Sequence, residues 1–347
     1  MDQCTIVNSK GLIDECLEWD NNDLFVMNPA TLKSSLRTAG LATLLGTSLV
    51  LVGGTVFQYW TSAQAKRRFA PPGKLVNVAG VKLHLFCEGT GSPTVILDSG
   101  VGAASFEWLF LQRVLRTHTK VCAYDRAGYG WSEASATPRH SANIAAELDG
   151  LLRNGEVAPP YVLVGHSFGG FNLRQLAGKH PDRTAALVLI ESLEEQALAF
   201  GAQEIGRVAA ARLTASFGFP RIARRFLAHR NLPTDAQPAA DALRARTDAY
   251  VTAHREMALL ETSAAGMSSG KLPENLSILV LTRAGSDDKW SRGQERLAGL
   301  SAKSRHVIAA SDKHYLQIHE PEWVASEILQ TIAEWKGPYG ILAATGK

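Results

Sequence analysis

Residues Tyr161–Gly170 read YVLVGHSFGG. Four consecutive strand-forming residues run into Gly165-His166-Ser167-Phe168-Gly169-Gly170, and helical spacing takes over from Phe168 to Lys179. This is a buried strand, a tight turn and a helix, the context in which G-x-S-x-G raises a serine above the end of a sheet. A residue on so sharp a turn takes strained backbone angles, and a side chain two positions either way would collide with it. Gly165 and Gly169 meet that need. Ser167 then stands at a helix N-terminus, where the dipole favours a developing negative charge. A chance Gly/Ser turn would not bring the strand and the helix with it.

Outward from this turn the chain alternates between β-type and helical patterns. Lys74–Val78 and Val81–Phe86 predict a hairpin around Ala79-Gly80, and Thr94–Leu97, Lys120–Tyr124, Leu187–Ile190, Ser277–Leu281 and Arg305–Ile308 predict further strands. Phe106–Leu115, Ser141–Leu152, Arg292–Leu300 and Pro321–Trp335 have helical apolar spacing. Strands alternating with helices argue for an α/β protein with a mostly parallel sheet covered on both faces. The helical region 193–271 is too long for an ordinary connection and reads as a cap inserted into that core, which comprises 74–192 and 272–336.

A serine hydroxyl is a poor nucleophile until a base takes its proton. In folds with this turn the triad follows the chain order Ser, acid, His. His314, in Ser311-Asp312-Lys313-His314-Tyr315, fits the base. His306 lies within a strand pattern, His319 beside a helix start, and His166 is expected to pack under the nucleophile. Two strand ends compete to supply the acid. Asp288 lies in the loop beyond ILVL, with Asp287 as a minor rival, and Glu191 closes the LVLI strand; both ends face the edge where open α/β sheets gather their sites. The oxyanion hole needs two backbone N–H groups. Phe168, after the nucleophile, and Val101, in the loop after the TVIL strand, are the candidates.

With GHSFGG, YDRAGYGWS at 124–132 and KHYLQIHEPEWV at 313–324, the chain resembles the α/β-hydrolase superfamily of serine hydrolases across about residues 74–335. The resemblance implies the strand order, the cap, and Asp125-Arg126 as structural turn residues. Ser99-Gly100 stands where many members have His-Gly, which costs little because the oxyanion donor is backbone. Members differ on whether the acid follows the sixth or the seventh strand, so Glu191 and Asp288 both stay open. The implied order also makes the strands carrying Cys87 and Cys122 neighbours. Two buried thiols are the expectation there, with a disulfide as the alternative if the domain is exported.

The N-terminal fifth differs from the rest. No charge occurs between Arg37 and Lys66, a run of 28 residues. Its apolar part, Ala39–Trp60, spans roughly 33 Å as a helix, enough for a bilayer core of about 30 Å. Tyr59 and Trp60 suit the headgroup region, and basic residues flank both ends. The expected organisation is a tail at 1–37, a single transmembrane anchor at 38–60 and a polar linker at 61–73. A cleaved signal ending at Ala63-Gln64-Ala65 is the alternative. Basic residues near the span number two before it and four after it, which by the positive-inside rule puts the domain in the cytoplasm. A start at Met27 would leave a short basic leader and favour export.

The chain has 347 residues, 46% of them hydrophobic, and a net charge of +3, which excludes wholesale disorder, a polytopic membrane protein and a nucleic-acid footprint. Four cysteines exclude a disulfide scaffold. Neither metal-ligand spacing nor a phosphate-binding glycine loop is present, so no cofactor is expected. Six arginines and no acid occur between Ile205 and Thr234. Phe219, Ile222, Phe226 and Leu227 fall on one helical face there, expected to pack inward, with contact to anionic lipid as the alternative. Apolar cap residues, among them Phe200, Phe217, Tyr250, Met257 and Met267, suggest a hydrophobic acyl or alcohol group. The expected activity is hydrolysis of a small carboxylic ester through an acyl-enzyme. The alternatives are an amidase or aminopeptidase, a cofactor-free haloperoxidase-type activity, and a non-catalytic binding module. Epoxide and haloalkane chemistry is disfavoured because those relatives attack with Asp where this chain has Ser167.

Overall fold

The structure is a computed structural model that describes residues 29–198, 201–223, 231–269 and 272–335. Residues 1–28 of the expected tail, with Met27, and Phe200, Phe226, Leu227 and positions 271 and 336 fall outside those residues, while 29–37, expected as tail, are already helical. The chain divides into two compact units, 1–51 and 52–347. The described part of the first, 29–51, is helical throughout, with Leu41, Leu44, Leu45 and Leu49 all exposed. It belongs to α1 (Pro29–Arg68), which over Leu36–Arg68 is long and apolar enough to cross a membrane.

The second unit holds an eight-stranded sheet in the order β1-β2-β4-β3-β5-β6-β7-β8. The strands are β1 (Lys74–Val78), β2 (Val81–Glu88), β3 (Thr94–Asp98), β4 (Val121–Tyr124), β5 (Tyr161–His166), β6 (Thr184–Ile190), β7 (Ser277–Thr282) and β8 (Ser304–Ile308). β1 and β2 are antiparallel, as are β2 and β4, and the remaining pairs are parallel. Ala79 and Gly80 take φ 50° and 88°, the left-handed pair that a two-residue hairpin turn requires. β3, β4 and β5 are buried at every position, as strands covered on both faces must be.

Successive strand side chains feed opposite cores. Ile96 and Leu163 meet α3 (Ser141–Asn154), α4 (Gly169–Lys179) and Leu297 of α10 (Asp288–Ala298) on one face. Val95, Leu97 and Val164 meet α2 (Leu109–Leu115) and α12 (Pro321–Glu334) on the other. Between β6 and β7 lie α5 (Ala202–Ala215), α6 (Phe219–Ala223), α7 (Gln237–Arg244), α8 (Thr247–Ala258) and α9 (Leu260–Ala265). The short α11 (Leu316–His319) precedes α12.

Several expectations need correction. The stretch 61–73 is not all linker, because α1 continues to Arg68. Ala65 buries with Phe106, Tyr129 and Leu243, and the buried Gln58 donates to the Ala245 carbonyl at 2.8 Å. The helix expected from Arg292 starts at Asp288, because the Asp287 carboxylate caps it by accepting the Trp290 N–H at 2.8 Å. Cys87 and Cys122 are not free thiols. They sit directly opposite each other on β2 and β4 and form a disulfide. Phe219 and Ile222 do not pack inward, being 48% and 54% exposed.

Candidate active site

β5 delivers Ser167 onto the turn into α4 at φ 52°, a left-handed conformation that a non-glycine residue adopts at a cost of order 1–3 kcal/mol. The glycines around it answer to close approach. A Cβ on Gly165 would lie 2.7 Å from the Gly170 nitrogen, and one on Gly169 would lie 2.3 Å from the Asp98 carbonyl oxygen. The turn is held by Ser167 N–H donating to the Ile190 carbonyl at 3.1 Å, while the Ser167 carbonyl accepts from Gly170 and Leu193. The serine is 4% exposed, and its Oγ makes no hydrogen bond to any described residue.

β6 ends one residue before Glu191, which is fully buried and also left-handed, φ 45°. Its N–H donates to the Leu281 carbonyl at the end of the neighbouring β7. Its carboxylate is fully engaged. Oε1 accepts the Arg283 N–H at 2.8 Å and the Trp290 indole N–H at 3.2 Å. Oε2 accepts from the Arg283 guanidinium and lies 3.0 Å from His314 Nδ1. That contact places the imidazole proton on Nδ1 and leaves Nε2 as the basic lone pair. The structure thus brings Glu191 to His314. It does not bring Asp288 there, which is exposed in the first turn of α10, nor Asp287, which caps that helix. Arg283, immediately beyond β7, escaped the sequence reading. It partly neutralises a carboxylate that would otherwise be costly to bury.

His166 does more than fill space. Its Nε2 donates to the His314 carbonyl at 3.1 Å, and the two rings meet at a tilt of 57° with centroids 4.7 Å apart, so it fixes the backbone of the histidine that Glu191 contacts. Burial, and then the charge His314 can carry, pushes the His166 imidazole well below the ordinary histidine range. The folded state therefore binds its proton less readily than the unfolded chain does. The stability that neutral His166 contributes is complete above the unfolded value of about 6.5 and is lost as pH falls below it. His166→Asn should flatten the decline of the unfolding midpoint between about pH 6.5 and 5. An unchanged slope would mean that His306 and His254, whose affinities for a proton are also lowered, carry it instead.

The loop after β3 closes over the serine. A Cβ on Gly100 would sit 3.1 Å from the Ser167 Cβ. Arg126, 2% exposed, donates to the carbonyls of Ser99 and Gly100 at 2.5 and 2.8 Å and to Asp98 Oδ1 at 2.7 Å. Across a trans peptide the C=O and N–H point in opposite directions. Fixing the Gly100 carbonyl toward Arg126 therefore turns the Val101 N–H away from it. Among the described residues, neither the Val101 nor the Phe168 N–H has a hydrogen-bond acceptor. A cavity of ≈ 350 Å³ beside His314 is lined by Leu198, Trp290, Ala197, Arg283, Asp287 and Lys289.

The sequence profile of the Alpha/beta hydrolase family matches residues 95–327. The uncharacterized protein YbdG of Bacillus subtilis is 29% identical over 184 residues, which are 51% of this chain and 57% of that protein. Among solved structures, a thermophilic esterase from Thermogutta terrifontis superposes with a TM-score of 0.55 at 18% identity, covering 75% of this chain and 97% of its own. The haloalkane dehalogenase DatA from Agrobacterium tumefaciens does so with a TM-score of 0.60 at 18% identity, covering 75% and 96%. One fold thus carries enzymes described as esterase and as dehalogenase, and the likeness speaks for the architecture alone. On the family match, this chain belongs to the alpha/beta hydrolase family.

Proposed function

We propose that the chain is a serine hydrolase that cleaves small carboxylic esters bearing a hydrophobic group. The observation that carries this reading is the buried Glu191 carboxylate at 3.0 Å from His314 Nδ1, on the same sheet edge as Ser167. His314 Nε2 takes the Ser167 proton as Oγ attacks the acyl carbon. The N–H groups of Phe168 and Val101 hold the oxyanion, a donor of this kind being worth about 3 kcal/mol in the transition state. His314 then protonates the departing alcohol, and a water activated by the same histidine releases the acyl group. Leu198 and Trp290 offer an apolar wall beside the base for the hydrophobic group.

The proposed location is the oxidising side of a membrane, with α1 as a retained anchor. A disulfide persists where thiols are not kept reduced, so the Cys87–Cys122 pair supports export over the orientation that basic-residue counting favours. Burial of Ala65 at 4% exposure supports retention of α1 over cleavage after that residue.

A serine-directed fluorophosphonate probe tests the enzymatic reading. Labelling of the full chain is expected, with its loss in Ser167→Ala. No labelling, or labelling that survives the substitution, would leave a binding module on a hydrolase fold. Parallel assays on esters of increasing chain length and on the matching amides separate an esterase from an amidase.

A further inference from the structure

Outside α1, the described residues include six large apolar side chains that are exposed: Leu75, Ile308, Ile205, Leu213, Phe219 and Ile222. Four of the six lie on the neighbouring helices α5 and α6, a concentration that isolated surface hydrophobes do not show. The turn between these helices rests on the part of α1 that belongs to the second unit. A Cβ on Gly54 would lie 2.5 Å from the Phe217 carbonyl oxygen, and one on Gly218 would lie 3.4 Å from the Phe57 ring. The Arg221 guanidinium donates to Gln58 Oε1 at 2.9 Å, locking α6 to that helix. On the same stretch of α1, Val52, Val56, Tyr59 and Trp60 are each at least 59% exposed. The docking therefore buries Gly218 and half-buries Phe217, and leaves the apolar side chains on either side of the turn facing outward.

Charge on this surface is mainly positive, with Glu204, which accepts the Gly201 N–H in the first turn of α5, as its acid. Arg207 and Arg212 are exposed on α5, and no Asp or Glu occurs from Ile205 to Thr234. Apolar side chains interleaved with arginines, joined to a helix fit to enter a bilayer, match the boundary between phosphate headgroups and acyl chains. A protein partner would also cover the apolar side chains, but the continuity with α1 favours lipid.

We propose that α5 and α6 lie on the surface of an anionic bilayer, with Leu213, Phe219 and Ile222 at the headgroup–acyl boundary and Arg207 and Arg212 among the phosphates. This rests on the reading of α1 as a membrane-crossing helix. α8, which packs on α5, also carries Glu256, the partner of Arg126. The lipid-facing surface thus belongs to the same insertion that holds the loop over Ser167, which suits an ester substrate drawn from the bilayer.

The test uses the full chain with Cys4 and Cys16 replaced by Ser, reconstituted in phosphatidylcholine–phosphatidylglycerol vesicles. A bimane label is placed singly through Phe219→Cys, Ile222→Cys, Ile308→Cys or Leu49→Cys. Spin-labelled lipids carry the nitroxide either at the headgroup or deep in the acyl chain. Labels at positions 219 and 222 should be quenched by the shallow nitroxide at least about twofold more than the label at 308. Arg207→Gln with Arg212→Gln should reduce that quenching by about half. Quenching at 219 and 222 no greater than at 308, with deep quenching at 49, would overturn the proposal and leave the anchor standing. Crosslinking of the 219 label site between two copies, without quenching, would overturn it in favour of self-association. Shallow quenching at 219 and 222 without deep quenching at 49 would uphold the lipid surface and refute the crossing helix.

Discussion

Glu191→Gln should lower kcat on a soluble short-chain ester by roughly 10³–10⁴-fold, with KM little changed, while Asp288→Asn leaves kcat within about twofold. The expected size follows from what the carboxylate does. Its Oε2 accepts from Nδ1 and so keeps the proton on that nitrogen, which leaves the lone pair on Nε2 for the proposed proton transfer from Ser167. An amide at position 191 retains the shape but offers one carbonyl oxygen where four donors converge: the Arg283 N–H and guanidinium, the Trp290 indole and the imidazole. With the amide oxygen at the Oε1 position it accepts the Arg283 N–H and the Trp290 indole, and the NH₂ then faces both the Arg283 guanidinium and Nδ1, stabilising the tautomer that cannot take the serine proton. It also withdraws the negative charge that stabilises the imidazolium formed in the transition state. Asp288 has no such partner, so its amide should be silent. Steady-state kinetics on both variants, normalised to folded protein, decides between them. A loss confined to Asp288→Asn would move the acid to the end of β7. The double variant Glu191→Gln/Ser167→Ala should be no slower than Ser167→Ala alone, because parts that act as one unit are not additive.

Why the carboxylate that meets His314 was not readable from the sequence is a matter of two equivalent strand ends. Glu191 and Asp288 both follow strands that finish at one sheet edge, and periodicity locates a strand end without saying which side chain turns back over the site. What separates them is backbone conformation. Glu191 takes φ 45°, which carries its carboxylate toward His314, and nothing in a glutamate codon announces a left-handed residue. A partial signal did exist at the other end. Asp287 stands immediately before a run that closes with Trp290, the spacing of a helix N-cap, and that reading would have drawn Asp287 and Asp288 into α10. The serine turn was legible because its constraint is steric and needs glycine, which is visible. The parallel core was legible for a similar reason, since strands buried on both faces must be apolar throughout. The disulfide was not, because strand order makes Cys87 and Cys122 neighbours while only register puts them opposite each other. The exposure of Phe219 and Ile222 on α6 departs from the rule that apolar side chains turn inward, because apolar spacing says which residues share a face and not which way that face turns.

Glu256→Ala should lower kcat per active site by about tenfold or more, and weaken a tetrahedral boronate inhibitor by the same factor, with KM for the ester changing little. Burial works against the Arg126 charge, yet Glu256 and Asp98 hold the guanidinium protonated well above its usual range. Glu256, on α8, binds it in two places, Nε to Oε1 at 2.9 Å and Nη2 to Oε2 at 3.1 Å. The same Nη2 donates to the Gly100 carbonyl. Tyr129 adds a second tie, donating to Glu256 Oε2 at 2.7 Å and accepting the Gly102 N–H at 3.1 Å. Both ties run from one carboxylate on the helical insertion to the carbonyl and N–H that flank Val101. Removing that carboxylate leaves Asp98 as the remaining carboxylate on Arg126, lets the guanidinium swing toward it, and frees the Gly100–Val101 peptide to rotate. In the proposed mechanism the oxyanion needs that peptide and ground-state ester does not, which is why kcat and boronate affinity should fall together. Breaking a buried ion pair from one side also costs about 3–5 kcal/mol of stability, so activity must be counted per site titrated with the fluorophosphonate. Glu256→Gln, which keeps an acceptor for one guanidinium N–H, should recover part of both losses. If kcat per titrated site is unchanged in Glu256→Ala, the network only holds the insertion to the core and the position of the Val101 N–H is set by the loop itself.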